Sequence, residues 1–227
     1  MGVKLMIDIK GLSHAYNKKQ ILNNVSLRIE KNERCALVGK NGAGKSTLIQ
    51  TMLGLVVLQK GSVVLGGISN KKQEWKKIVS YLPEKFHLYP HLTGEENMRF
   101  FASLAPMKTD DSKIVEKLKL VSLYEERNNQ ITTYSKGMLQ RLGLAVMLYY
   151  DSDIIILDEP TSGLDPIGRE EILKILNTLE NKTIMMASHH ISEIQQVCTH
   201  IAYLDNGEIT KYPVDEFLES HLKESYR

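Results

Sequence analysis

The sequence predicts an α/β protein: a parallel sheet, an antiparallel β subdomain on its N-terminal side and an inserted helical subdomain. Three observations carry this. The early segments "KLMIDIKGLSHAY", "VSLRIEKNE" and "SVVLGG" are short, β-rich and punctuated by Asn, Lys and Gly, as antiparallel strands are. By contrast "RCALVG", "DIIILDEP" and "TIMMASH" are continuous apolar runs, and the last two flank a helical stretch, the strand-helix-strand pattern of a parallel sheet. From about residue 94 to 150 the apolar residues recur instead at three-to-four spacing.

In chain order, "RCALVG" feeds a glycine-rich turn and then the helix "GKSTLIQTMLGL", a strand-loop-helix unit. The segments "EENMRFFASLA", "DDSKIVEKLKLVSLY" and "GMLQRLGLAVMLYY" are the three helices expected in the insertion. Pro166 opens "PIGREEILKILNTLE" at a helix-start position, where its missing N–H costs nothing. "IAYLDNGEIT" is expected to be a hairpin turning at Asp-Asn-Gly, and "DEFLESHLKES" a terminal helix. One domain is expected over residues 1–227, with a core from 1–93 and 151–227 and helices from 94–150.

At 227 residues and 42% hydrophobic content the chain can bury one large core or two modest lobes. A formal charge of +2, spread without a basic stripe, argues against nucleic acid as a partner. Cys35 and Cys198 have no metal-ligand spacing and read as reduced, structural residues of a cytosolic protein. The start "MGVKLMIDIKGL" is too polar for a secretion signal, and Met6 stands where a myristoylation motif needs Ser or Thr. The best apolar run, "LGLAVMLYY", has nine residues against the roughly 18 of a membrane span, so the chain is expected not to cross a bilayer.

"GKNGAGKST", residues 39–47, matches Gly-x-x-x-x-Gly-Lys-Ser/Thr between an apolar strand and a helix. Backbone N–H groups of such a loop turn inward around phosphate oxygens, and the helix adds the positive end of its dipole. The expected phosphate-binding set is Gly39, Asn41, Gly42, Ala43, Gly44, Lys45, Ser46 and Thr47, with Gly42 and Gly44 making room. Lys45 is the point charge for the β- and γ-phosphates, and Ser46 offers its hydroxyl to Mg²⁺. The strand "IIILDEP" ends in two carboxylates, where open α/β sheets place their ligand sites. Asp158 fits the Mg²⁺-side acid and Glu159 the general base that polarises the attacking water.

These residues point to a Mg²⁺-dependent P-loop NTPase. "NKTI" lacks the acid of a guanine-specific Asn-Lys-x-Asp element, which gives GTP no support and favours adenine as the base. Tyr16 in "LSHAY" is either a stacking face for adenine or a core residue.

With "GKNGAGKST", "YSKGMLQR", "IIILDEPTSGLD" and "MASHH" in this order, nearly the whole chain resembles the nucleotide-binding subunit of ATP-binding cassette (ABC) transporters. The resemblance implies an ABC-ATPase core of the P-loop NTPase fold, with residues 94–150 as its signature subdomain. It maps the D-loop to Ser162–Asp165 and the switch histidine, a γ-phosphate contact, to His189, with His190 adjacent. Ser135 and Gly137 would face the γ-phosphate held by a second ATPase subunit, so that each chain carries two half-sites, with Asp165 in the same cofactor-binding set. Two departures stand out. The family's Leu-Ser-Gly-Gly-Gln is Tyr134, Ser135, Lys136, Gly137, Met138 here, leaving Lys136 either near that phosphate or in solvent. Glu84 replaces a glutamine that meets Mg²⁺, and a carboxylate oxygen suits a hard cation as well.

Both variants are similar to those of drug, bacteriocin and antibiotic exporters, so the resemblance implies export through a separate transmembrane permease and a place on the inner face of the membrane. The aromatic and apolar loop Phe86–Leu92 either borders the groove for a permease helix or packs between the lobes. The alternative is a non-transport ABC ATPase acting on a macromolecular assembly. Chromosome-maintenance members insert long coiled coils before the signature and ribosome-associated members carry two cassettes, and neither feature is in this sequence. A regulatory module that binds ATP without turnover is argued against by Glu159.

Overall fold

The computed structural model describes residues 4–105 and 108–224; the Met-Gly start and the last residues of the tail lie outside them. Strands β1 (Leu5–Tyr16) and β2 (Lys19–Glu30) form a hairpin whose two-residue turn, Asn17 and Lys18, has φ of 47° and 69°, the backbone sense that matches strand twist. Then follow β3 (Arg34–Val38), α1 (Lys45–Met52), β4 (Lys60–Leu65), the short β5 (Ile68–Ser69) and β6 (Val79–Leu82). The helices α2 (Gly94–Ser103), α3 (Asp111–Leu120) and α4 (Lys136–Tyr149) come next, then β7 (Ile154–Asp158), α5 (Pro166–Asn177) and β8 (Thr183–Ala187). The chain closes with α6 (Ile191–Val197), β9 (His200–Asp205), β10 (Glu208–Pro213) and α7 (Val214–Glu224).

Two sheets result. One is antiparallel, in the order β2-β1-β4-β5; the other runs β10-β9-β3-β8-β7-β6, parallel except for the β9–β10 hairpin. Because side chains alternate along a strand, the parallel sheet feeds two cores. Ala36, Ile155, Leu157, Ile184 and Met186 face the helices α4 to α6, while Cys35, Leu37, Ile154, Ile156, Met185 and Ala187 face α1 and the antiparallel sheet. That double burial is why β3, β7 and β8 read as unbroken apolar runs.

Both cysteines are free and buried as expected, and burial pushes the Cys198 thiol up to about 12 and raises that of Cys35 as well. The edge strand β6 and the helix α6 have no counterpart among the expected elements. β6 is four residues long and interrupted by a buried polar residue, Ser80, whose hydroxyl donates to Met147 O (3.2 Å) and meets Ser152 Oγ at 2.8 Å. α6 has only seven residues, too few to display a helical period.

The helical segment is fixed at its entry. Thr93 and Glu96 form a reciprocal capping box on α2. Asn97, fully buried, accepts from Tyr89 N (2.8 Å) and donates to the carbonyls of Tyr89 (3.1 Å) and Thr93 (2.9 Å), which pins the loop 86–92 to this helix. Among the described residues no helix is long and apolar enough to cross a membrane.

Candidate nucleotide site

The carboxyl ends of β3, β8 and β7 are neighbours in the sheet, so the residues following them are brought together by topology. They open on a cavity of about 450 Å³ lined by Asn41, Gly42, Gly44, Lys45, Ser46 and Thr47 from the loop after β3, Asp158, Glu159 and Ser162 after β7, and His189 after β8. Glu84, past β6, and Tyr16 and Ile21 from the antiparallel sheet complete the wall.

Within the glycine-rich loop, Gly42 and Gly44 have φ of 82° and 108°, in the left-handed region that side chains disfavour. A Cβ on Gly44 would come 2.9 Å from Ile21 Cγ2, whereas one on Gly42 would meet nothing. Within the protein itself only Gly44 is confined by a neighbouring side chain, while Gly42 needs glycine for its backbone angle and lies open at the cavity wall. Gly44 caps α1 with no side chain, leaving the first N–H groups of the helix to face the cavity. Lys45, 9% exposed, donates from Nζ to Gly39 O at 2.8 Å, so its charge is held at the mouth of the loop.

Asp158 is buried at the end of β7, and burial raises its carboxyl above the usual range. A hydrogen bond from Ser46 opposes the shift, and the charges of Glu159 and Glu84 add to it. Just past the strand, Glu159 N donates to Ala187 O (3.0 Å), extending the β7–β8 ladder, and its φ of 51° turns the carboxylate out of the sheet. There Glu159 Oε2 lies 2.9 Å from His189 Nδ1. His190 instead takes the N-cap position of α6, which resolves the choice between the two in favour of His189 as the cavity residue.

Tyr16 is 45% exposed and lines the cavity with its ring edge-on to His14 (centroids 4.6 Å apart), so it is not a core residue. Ser135, Gly137 and Asp165 do not line this cavity. Ser135 caps α4 by accepting from Met138 N (3.2 Å), and Asp165 caps α5 by accepting from Gly168 N (2.7 Å), with Pro166 at the first helical position. These two helix starts are adjacent. Gly137 faces Gly168, and the Lys136 ammonium rests over Gly163, where an added Cβ would come 2.1 Å from Nζ. Lys136 is exposed, as one of the two expectations had it, and its end leans on the Ser162–Asp165 loop of its own chain. Tyr134 is buried and donates to Glu126 O (2.7 Å), anchoring the turn to the helical segment.

A second groove, of about 810 Å³, runs between β6, Phe86, the end of α2 and α4. Its floor is apolar, with Phe86, Phe101, Leu104, Val146, Met147 and Tyr149, and Lys76, Lys77, Lys108 and Lys113 stand around it. Phe86 and Leu88 pack on the core of the helical side while Tyr89 stays exposed against Phe100, so the loop 86–92 is packed at one end and open at the other.

Sequence reasoning passed over Ile21, because an isolated aliphatic residue in a strand carries no signal of facing a ligand. The family model of ABC transporters matches residues 22–162. The lantibiotic transport ATP-binding protein SrtF of Streptococcus pyogenes is 37% identical, over 90% of this chain and 89% of its own length. The linearmycin resistance ATP-binding protein LnrL of Bacillus subtilis (strain 168) is 33% identical, over 90% of this chain and 68% of its own. A solved dimeric, post-hydrolysis state of an ATP-binding cassette bound to ADP and Pi superposes with a TM-score of 0.80 at 26% identity, over 92% of this chain and 99% of that one. Cavity, motif order and relatives agree: the chain belongs to the ABC transporter family, as one of its ATP-binding and ATP-hydrolysing subunits.

Proposed function

We propose that this subunit hydrolyses Mg²⁺-bound ATP between two ATPase subunits and thereby drives export through a separate membrane permease, which holds it on the inner face of the membrane. The observation that carries the reading is the 2.9 Å contact between Glu159 and His189 at the rim of a cavity whose other wall is the glycine-rich loop. Glu159 takes the proton of the attacking water, and the His189 imidazole holds that carboxylate in place while turning its remaining nitrogen to the γ-phosphate. Lys45 and the N–H groups of Gly39 to Thr47 hold the β- and γ-phosphates, and Tyr16 stacks on the adenine.

The donor set fits Mg²⁺. Among the described residues no three acidic, His or Cys side chains form a metal cluster, which suits an ion that takes most of its ligands from phosphate and water. Ser46 and Asp158, already hydrogen-bonded, would hold it, with Glu84 at the same wall. When bound it supplies charge neutralisation for the phosphates and for crowded carboxylates. The raised Asp158 carboxyl means that its ionised form is penalised in the nucleotide-free fold, so that stability falls as pH rises from the unfolded toward the folded pKa. Asp158→Asn is therefore expected to raise the melting temperature of the nucleotide-free protein at neutral pH while removing Mg²⁺-dependent hydrolysis; a lowered melting temperature would count against this account.

The second subunit is supported by the pair of helix starts that the chain leaves outside its own cavity. Ser135 and Gly137 open α4 beside the Ser162–Asp165 loop, a surface with anion-binding character that a single nucleotide site does not use. Residues 94–150, which carry it, act as the signature subdomain. Export is supported by the relatives named for lantibiotic transport and linearmycin resistance. For the permease, the apolar groove rimmed by four lysines is the docking surface. Leu104, 64% exposed in that groove, can be replaced without disturbing the core. Leu104→Glu is expected to abolish co-purification with a membrane protein from detergent-solubilised membranes and to leave ATP affinity unchanged; undiminished co-purification would remove the groove from this role.

A further inference from the structure

Glu193 in α6 is fully buried, and its carboxylate ties together three segments that approach the site from different directions. Thr161, in the loop after β7, directs its hydroxyl at both oxygens, 2.8 Å from Oε1 and 2.9 Å from Oε2. Ser188, in the loop after β8, donates to Oε2 at 2.8 Å and accepts from His190 N at 3.1 Å. Arg169 of α5 stands 3.3 Å from Oε1 as the ion-pair partner. Thr161 and Ser188 are each 1% exposed, so the network is dry on the side of both loops.

The positions of the two hydroxyls matter. Thr161 lies two residues after Glu159, and Ser188 immediately precedes His189. A carboxylate offers about four lone-pair sites, and here one group serves donors from both loops, so neither loop can shift without breaking a charge-assisted hydrogen bond. A fully buried acid is rare in proteins unless paired, and a hydrophobic residue of similar size would fill the same space. We propose that Glu193 is a positioning residue for hydrolysis: its carboxylate clamps the Thr161 loop to the Ser188 loop and so sets the Glu159–His189 contact. The inference rests on the reading of Glu159 as the general base.

Clamp and mere core packing differ in what they move. Glu193→Gln keeps the volume but loses an acceptor oxygen, Thr161→Val keeps the shape but loses the donor, and Thr161→Ser restores the hydroxyl. In steady-state hydrolysis by the full chain, the first two are expected to lower kcat about tenfold with KM for ATP nearly unchanged, and Thr161→Ser to retain wild-type kcat. Joined to Glu159→Gln, neither is expected to lower turnover further, because both act through the same group. Amide hydrogen exchange in Glu193→Gln should accelerate together over residues 159–164 and 188–191. If Glu193→Gln does not fold, Thr161→Val carries the same comparison. Wild-type kcat in these variants, with Glu159→Gln inactive, overturns the clamp, as does a loss confined to melting temperature. Wild-type turnover in Glu159→Gln instead removes the base assignment; exchange then decides the clamp alone, and acceleration limited to α6 overturns it.

Discussion

Glu159→Gln is expected to bind ATP with wild-type affinity, to lose turnover by about 10²- to 10⁴-fold and to accumulate as an ATP-dependent dimer. The three effects have one cause. Glutamine is isosteric with glutamate and retains an oxygen and a nitrogen to meet His189 Nδ1, so the 2.9 Å contact and the cavity wall survive in outline. It also tolerates the φ of 51° at this position no worse than glutamate does. What disappears is the capacity to accept a proton from water. Lys45 and the glycine-rich loop, to which the proposal gives the binding of the phosphates, are untouched. In the proposed cycle a dimer closed by ATP and reopened by hydrolysis then has no route back, and size-exclusion chromatography with ATP and Mg²⁺ should show the shift. Turnover equal to wild type, measured with the permease present, would remove Glu159 from the base role.

How much of this was legible in the sequence follows from what each segment must do locally. β3, β7 and β8 are buried on both faces, and the apolar runs that this demands are visible without a fold. The glycine-rich loop is legible because the phosphate cradle needs glycine at a fixed spacing, and the paired acids stand out because carboxylates after four apolar residues are costly without a purpose. β6 escaped because Ser80 breaks its pattern, and the reason for that serine, a hydrogen bond to Ser152, lies far along the chain. Lys136 was undecidable for a related reason: its ammonium is seated over Gly163, and nothing local to "YSKGM" announces a neighbour in "TSGLD". Glu193 lies in a helix of seven residues that shows no period of its own, so nothing local to it signals a role. Only the fold reveals that Thr161, Ser188 and Arg169 meet on it. Residues that line the cavity in a motif were thus easier to read than the buried residues packed behind them.

Lys45→Ala separates binding from chemistry in the opposite direction to Glu159→Gln. The Lys45 side chain is nearly buried, and its ammonium is satisfied by Gly39 O at 2.8 Å, so the charge is already oriented before a nucleotide arrives. A charge-assisted contact of this kind is worth roughly 1.5 to 3 kcal/mol, which corresponds to a loss of about 10- to 150-fold in ATP affinity. The fold should withstand the change, since position 45 is the first residue of α1 and alanine is the strongest helix former. The consequence can be read by thermal melting. At an ATP concentration about 100 times the wild-type Kd, binding stabilises the protein by about 2.7 kcal/mol, and a Kd raised about 100-fold reduces this to about 0.4 kcal/mol. For a domain of this size the ATP-induced rise in melting temperature should fall from about 5–11 °C to about 1 °C, with the nucleotide-free melting temperature little changed. An undiminished rise would mean that the backbone N–H groups of the loop bind the phosphates without Lys45. A lowered nucleotide-free melting temperature would mean that the Lys45–Gly39 hydrogen bond serves the fold rather than the ligand.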